Sequence, residues 1–264
     1  MNDSLLGTWA LRLFTYATMG FLFLPIGITL IVAVNPREFI LPPSGFTLDW
    51  VREAWHSDQF LDAMSVSLML AVTSSVLANI LALLASLALV RYRFPGRAAI
   101  GLLVMSPLLI PSSIFGLALF VFFARFGFGA NVPGLVIGHT LHVLPFAVRI
   151  VSASLQNFDP SMEEAARNLG AGRLRTMTSI TLPIVRTGLL SSAILCFILS
   201  WNDFPISVFL APTGWTPLPV QLFSYIKFQY DAVAAALAAS LILVSAVAMI
   251  IIDRVTGLRR VLGR

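Results

Sequence analysis

The sequence predicts an all-α integral membrane protein: six transmembrane helices with both termini in the cytoplasm. Three observations carry this. Of 264 residues, 58% are hydrophobic and 11% charged, against about 25% charged in ordinary soluble domains. So few charges could not cover a soluble surface. The charges are also confined to gaps between long apolar runs, and the basic ones crowd into alternate gaps.

A helical span needs roughly 20 predominantly apolar residues. Residues 13–36, 63–90 and 98–124 each lie between two charged residues and meet that length. A Gly-rich turn, Gly127 to Gly134, precedes a fourth span from about Pro133 to Leu155. Residues 187–210 are apolar except for Asp203, and 232–252 lie between Asp231 and Asp253. Lipid cannot satisfy open backbone groups, so each run is expected to be helical. The first run ends in Pro36-Arg37 without a small-residue cleavage site, which argues against a removed signal peptide. The single cysteine, Cys196, lies in an apolar run, where it reads as core or lipid-facing, and builds no disulfide framework.

Orientation follows from basic residues in the short loops. With the N-terminus inside, 13 of the 17 Arg and Lys residues are cytoplasmic and 4, Arg37, Arg52, Arg125 and Lys227, are outside. The net charge of +5 therefore records topology, and nucleic acid is not expected as a partner. The outside segments 37–61 and 211–230 carry Trp50, Trp55 and Trp215, which read as interface belts or as contacts for an external partner.

One cytoplasmic loop is long, from about Gln156 to Arg186. Asp159 is a good N-cap and Pro160 suits the first helical position. Glu163 and Glu164 sit near the positive end of the helix. Met162, Ala165, Ala166 and Leu169 share one face, and Gly170 supplies the stop. A second short helix is expected from about Gly172 to Leu182, ended by Pro183. By residue pattern alone, this helix–turn–helix could rest on lipid. Glu163 and Arg167 stand at i, i+4 and can support the helix, leaving Glu164 about 100° away around it.

The spacing Glu164-Ala165-Ala166, three residues, Gly170, nine residues, Ile180, one residue, Leu182-Pro183 resembles the EAA signature of ABC importer permeases, E-A-A-x3-G-x9-I-x-L-P. Arg91-Tyr92-Arg93-Phe94-Pro95-Gly96 and Asn168-Leu169-Gly170-Ala171 look like the matching segments of polyamine-type permeases. Over about residues 10–255 the chain is similar to the second (C-type) permease of spermidine/putrescine importers. The resemblance implies the type I importer permease fold, as one permease domain with its core at about 62–252 and a coupling loop at 157–185. It assigns Glu163, Glu164, Ala165, Ala166, Arg167, Gly170, Ala171 and Pro183 to coupling with a cytosolic ATPase. It also implies a second permease subunit, two ATPase copies, a periplasmic solute-binding protein and the bacterial inner membrane. The chain itself then holds no cofactor; ATP and Mg are used by the partner ATPase.

Ionisable groups at membrane depth are functional candidates because burying them is costly. Asp203 follows Ser200, Trp201 and Asn202 in the fifth span. Polyamine-type permeases carry an acidic pair there; this chain keeps one acid and has Asn202 beside it. A single carboxylate suits a monocation, a zwitterion or a smaller amine as well as a polyamine. Asp203 reads either as a pathway residue or as a structural group that pairs with the partner permease or caps a broken helix. Ser106-Pro107 and Pro111-Ser112-Ser113 interrupt the third span, and such breaks must line protein or a cavity. Asp203, Asn202, Trp201, Ser200 and Ser112 are the pathway candidates. Asn79 in the second span reads equally as pathway or packing. His139 and His142 lack a third ligand nearby, so hydrogen bonding between helices or pore lining is expected rather than metal.

Glu163-Glu164-Ala165-Ala166-Arg167 is similar to the E-E-x-x-x-R motif of intramembrane proteases, but its spacing is two, not three, and it lies in a loop. There is no P-loop, G-x-G-x-x-G or H-E-x-x-H pattern, so no enzyme activity is expected. A secondary carrier would need more intramembrane charges and usually more spans or inverted repeats. The expected function is that of the transmembrane permease of a binding-protein-dependent ABC importer. A polyamine is the expected solute; phosphonates, opines, amino-acid-like amines and ferric iron are the alternatives.

Overall fold

A computed structural model describes residues 3–37, 43–229 and 231–256. The regular elements among them are helical: α1 (Asp3–Ala33), α2 (Asp49–His56), α3 (Asp58–Arg91), α4 (Arg97–Met105), α5 (Ser112–Arg125) and α6 (Val132–Gln156). Then come α7 (Ser161–Asn168), α8 (Arg173–Thr176), α9 (Leu182–Trp201), α10 (Ser207–Leu210), α11 (Leu218–Phe228) and α12 (Val233–Thr256). Five stretches are long and apolar enough to cross a membrane: 7–33, 58–91, 132–156, 173–201 and 233–251. The sixth expected span is a broken pair, α4 with a 3-10 turn and α5, bent by 108°.

The chain divides into two compact units, one formed by the segments up to Leu61 and 222–243, the other by 62–221 and the segment from Val244. In the first, α1 leaves apolar side chains such as Phe14, Phe21 and Phe23 exposed, a surface suited to lipid. The chain after α1 folds around buried Asn35. Its side-chain oxygen accepts the Ser44 N–H at 3.0 Å, and its backbone carbonyl accepts the Trp50 indole N–H at 2.9 Å. Phe60 meets Tyr225 edge-on at 5.2 Å. The Tyr225 hydroxyl donates to Asp231, whose other oxygen accepts the Val233 N–H and opens α12.

The second unit is built on α3, α6 and α9. Its core gathers Ala78, Ala82, Val143, Ala147, Val151, Val185 and Cys196, so the cysteine is a core residue. Lipid supplies no hydrophobic drive between helices, and close packing of small residues with interhelical hydrogen bonds takes its place. Ser75 donates to the Ala193 carbonyl at 2.6 Å and Ser86 to the Val148 carbonyl at 3.2 Å. Where α6 meets α9, a Cβ at Gly188 would lie 2.6 Å from that of Ser154.

Two expectations are corrected. The helix expected to stop at Pro183 does not stop. From Arg173 it passes through a wide π turn, Met177–Thr181, straight into α9, with Pro183 in the first turn. A proline removes one helical hydrogen bond and crowds the carbonyl four residues back, here on Ser179. In the widened turn the Leu182 N–H bonds to the Met177 carbonyl, five residues back, and the helix continues. The fifth span in turn does not run to Leu210: α9 ends at Trp201, and the chain opens before α10. The third span breaks where Pro111 biases Ile110 toward an extended backbone, φ −106° and ψ 128°. Neither arm, at 9 and 14 helical residues, could span a bilayer alone.

Gly188→Val should lower the thermal stability of the purified protein, since overpacking a tight contact costs about 1–3 kcal/mol. The pair Gly188→Ala with Ser154→Gly should recover most of a Gly188→Ala loss. A melting temperature for Gly188→Val equal to the parent's would show that the two helices are not closely apposed.

Candidate functional site

The long loop between α6 and α9 starts with a capped helix. Asp159 accepts both the backbone N–H of Ser161 at 2.9 Å and its hydroxyl at 2.7 Å. These bonds, the backbone one foremost, hold the Asp159 carboxyl below its ordinary value. The carboxylate's contribution to the helix start is thus present above the ordinary carboxylate range and lost as pH falls through the lowered value. Pro160 precedes α7 with helical angles, as expected. The end of α7 is a Schellman motif: Ala171 N–H donates to the Ala166 carbonyl and Gly170 N–H to that of Arg167. Gly170 has φ +86°, the left-handed conformation that favours glycine, and a Cβ there would meet nothing within 4 Å.

α7 turns one face to the protein and one away. Ala166 and Glu163 are buried, whereas Met162, Glu164, Ala165 and Arg167 are exposed and Leu169 is 90% exposed. The apolar stripe seen in sequence therefore remains largely uncovered by this chain. Glu163 has a further role that i, i+4 spacing does not reveal. Its Oε1 accepts the Thr181 hydroxyl at 2.8 Å and lies 3.6 Å from Nη2 of Arg91 at the end of α3. Arg167, the partner expected from spacing, is 4.0 Å away. The Arg91 guanidinium also lies over the Phe158 ring, 5.1 Å from its centre. Glu163 thus links α7 to a membrane span and to the π turn below α9.

The second cluster surrounds the opening after α9. Asn202 caps α9, its side chain bonded to the Ile198 carbonyl at 2.9 Å and to Ser245 Oγ at 3.0 Å. Asp203 is buried; Oδ1 accepts the Ile206 N–H at 2.9 Å and Oδ2 lies 3.4 Å from Nε2 of His142. The Ser207 hydroxyl donates to the Asp203 carbonyl at 2.6 Å. That leaves its oxygen to accept from Nε2 of His139 at 3.0 Å. A neutral His139 ring then takes the Ser200 hydroxyl proton at Nδ1, 2.8 Å away. His139 thus bridges α9 and α10 while His142 faces the turn between them, and no group of three metal-ligating side chains occurs among the described residues. Trp201 is buried and stacked on Phe197 at 5.9 Å. Ser112, half-buried, begins α5 after the bend. Glycines let the elements close in: a Cβ at Gly116 would lie 3.0 Å from Cα of Ile206, and one at Gly138 2.5 Å from Leu210.

Ser207, Arg91 and Thr181 were not legible as site residues from local pattern. The pairing of Asp203 with His142 had a signal, because a carboxylate at membrane depth needs a partner.

The chain is 30% identical over 237 residues to the spermidine/putrescine transport system permease protein PotC of Escherichia coli K12, covering 90% of each chain. It is 29% identical to the putrescine transport system permease protein PotI of the same organism, covering 78% of this chain and 76% of that one. A crystal structure of a bacterial ABC transporter involved in alginate import superimposes with a TM-score of 0.69, at 17% identity and 99% coverage of both chains. Residues 78–260 match the family model of the binding-protein-dependent transport system inner membrane component. The coupling-loop motif, the helical spans and these matches together make the chain a member of that family, an inner-membrane permease subunit of a binding-protein-dependent ABC importer.

Proposed function

We propose that this permease moves a polyamine or another small amine. The observation that carries this reading is its 30% identity to PotC over 90% of both chains. The chain lies N-in and C-in, with the coupling loop on the cytoplasmic side, as the excess of arginine in the loops on that side requires. It pairs with a second, related permease chain, and two copies of a cytosolic ATPase sit below. A periplasmic binding protein delivers solute from outside.

In this reading Glu164, Ala165, Ala166 and Gly170, with Ala171, meet the ATPase. The uncovered face of α7 and the small side chains beside Glu164 favour close docking. Glu163, with Arg167 and the π turn before Pro183, passes the movement to α3 and α9. Closure of the ATPases on ATP and Mg pushes the two coupling helices together and reverses the access of the cavity. The opening at 202–206 borders the solute path. Asn202 faces it, and Asp203 holds its shape through Ile206 and His142, assisted by Ser200 and Trp201; Ser112 lines it from the third span.

Three outcomes follow. Gly170→Val strains the left-handed turn by about 1–2 kcal/mol without a clash, so the permease should still assemble while ATP-driven uptake is lost; normal uptake would remove Gly170 from coupling. Asp203→Asn keeps the acceptor for Ile206, so its melting temperature should stay near the parent's while amine uptake falls. Asp203→Ala should also destabilise, by about 1 kcal/mol for a lost cap. Unchanged uptake in Asp203→Asn would take the charge out of the pathway. Finally, the cognate binding protein should show a thermal shift with putrescine or spermidine. A shift with a zwitterion and none with polyamines would replace the substrate assigned here.

A further inference from the structure

At the end of α3, beside the coupling helix, lies a cavity of about 640 Å³. Five arginines, Arg91, Arg93, Arg97, Arg167 and Arg173, line it against two carboxylates, Glu163 and Glu164. Of these five, Arg91 and Arg167 lie within 4 Å of a carboxylate, both with Glu163. Arg91 is largely buried: its Nη2 lies 3.6 Å from Glu163 Oε1, and neither Nη2 nor Nε makes a hydrogen bond among the described residues. Buried donors are rarely left unmade, and a guanidinium is built to grip a phosphate or carboxylate. The pull is therefore toward an anion.

The other wall decides which anion. Leu84, Leu87, Ala88 and Arg91 fall on one side of α3, and Leu84 and Tyr92 are each 58% exposed. This is an apolar strip that ends in a basic rim, at the level where the uncharged stretch 63–90 gives way to Arg91. A free phosphate or an acidic protein side chain would use the rim and leave the strip in water. A lipid uses both, and basic pockets at the cytoplasmic ends of spans suit anionic headgroups.

We propose that this cavity is a binding site for an anionic phospholipid, its phosphate among Arg91, Arg93 and Arg97 and an acyl chain along Leu84 and Ala88. The site rests on membrane insertion and on the orientation proposed above, not on the amine or ATPase assignments. Bound there, the lipid ties the end of α3 to the coupling helix and makes transport sensitive to the charge of the inner leaflet.

The test uses the assembled importer, delipidated in detergent. It is titrated with phosphatidylglycerol, with phosphatidylcholine of the same chains, and with soluble glycerol 3-phosphate. Native mass spectrometry reads bound lipid and a thermal shift reads stabilisation. Phosphatidylglycerol should bind and stabilise, and the other two should not. Arg93→Gln, Arg97→Gln and Arg173→Gln together should weaken phosphatidylglycerol binding by on the order of a hundredfold, and Lys at the three positions should restore most of it. Equal binding of phosphatidylcholine, protection by glycerol 3-phosphate alone, or unchanged phosphatidylglycerol binding in the triple Gln variant would overturn the proposal. So would loss of the ATPase subunit from the triple variant with lipid binding intact, which would assign the arginines to protein docking. If the triple variant fails to assemble, Arg93→Gln alone, in an exposed loop, must lower binding by about fivefold for the proposal to stand.

Discussion

A membrane helix that breaks must find partners for the backbone groups it frees, because lipid offers none. The second unit depends on meeting that demand at two places. Beyond Trp201, the opened chain is closed by Asp203, which accepts the Ile206 N–H, and by Ser207, which returns a proton to the Asp203 carbonyl. His139 ties Ser200 on one side of the opening to Ser207 on the other. The non-helical turn is thereby fixed within the protein. Gly116 and Gly138 allow α5 and α6 to come within contact distance of it. Without those glycines the capped turn would have no room to be buried.

The same economy of small polar groups appears at the other end of α9. The π turn carries the helix past Pro183, and Thr181 in that turn donates to Glu163. Glu163 also faces Arg91. A pair with both side chains mostly buried gains little net stability over an apolar pair, but removing one partner is costly. Such a contact is better suited to fixing geometry than to adding stability. Here it fixes where α7 sits against α3 and α9. Leu169 and Met162, farther around the helix, are exposed.

How much of this was legible depended on range. The spans were readable because apolar length is a local property, and α6 follows its expected range to within a residue or two. The cap at Asp159 and the stop at Gly170 were readable for the same reason. Pro183 was misread because proline ends most helices, and only the widened turn, which no local pattern announces, lets one continue. The pair of Glu163 with Arg167 was readable from four-residue spacing and is present at 4.0 Å; the pair with Arg91, 72 positions earlier, cannot be seen in sequence. Asp203 marked itself as unusual by its place in an apolar run, but the hydrogen bond it accepts depends on where α9 stops.

That stop separates two kinds of role. A carboxylate that contacts a passing cation must be open to it, whereas Asp203 is buried and engaged by Ile206 and His142. Asn202, next to it, is exposed and bonded to Ser245. The acidic position and the accessible position are therefore adjacent but distinct in this chain. Charge at Asp203 can act on a cation only through the field it sets up across a short distance of protein, where the low dielectric strengthens it. Selectivity by such a field is coarse: it favours positive charge without reading shape.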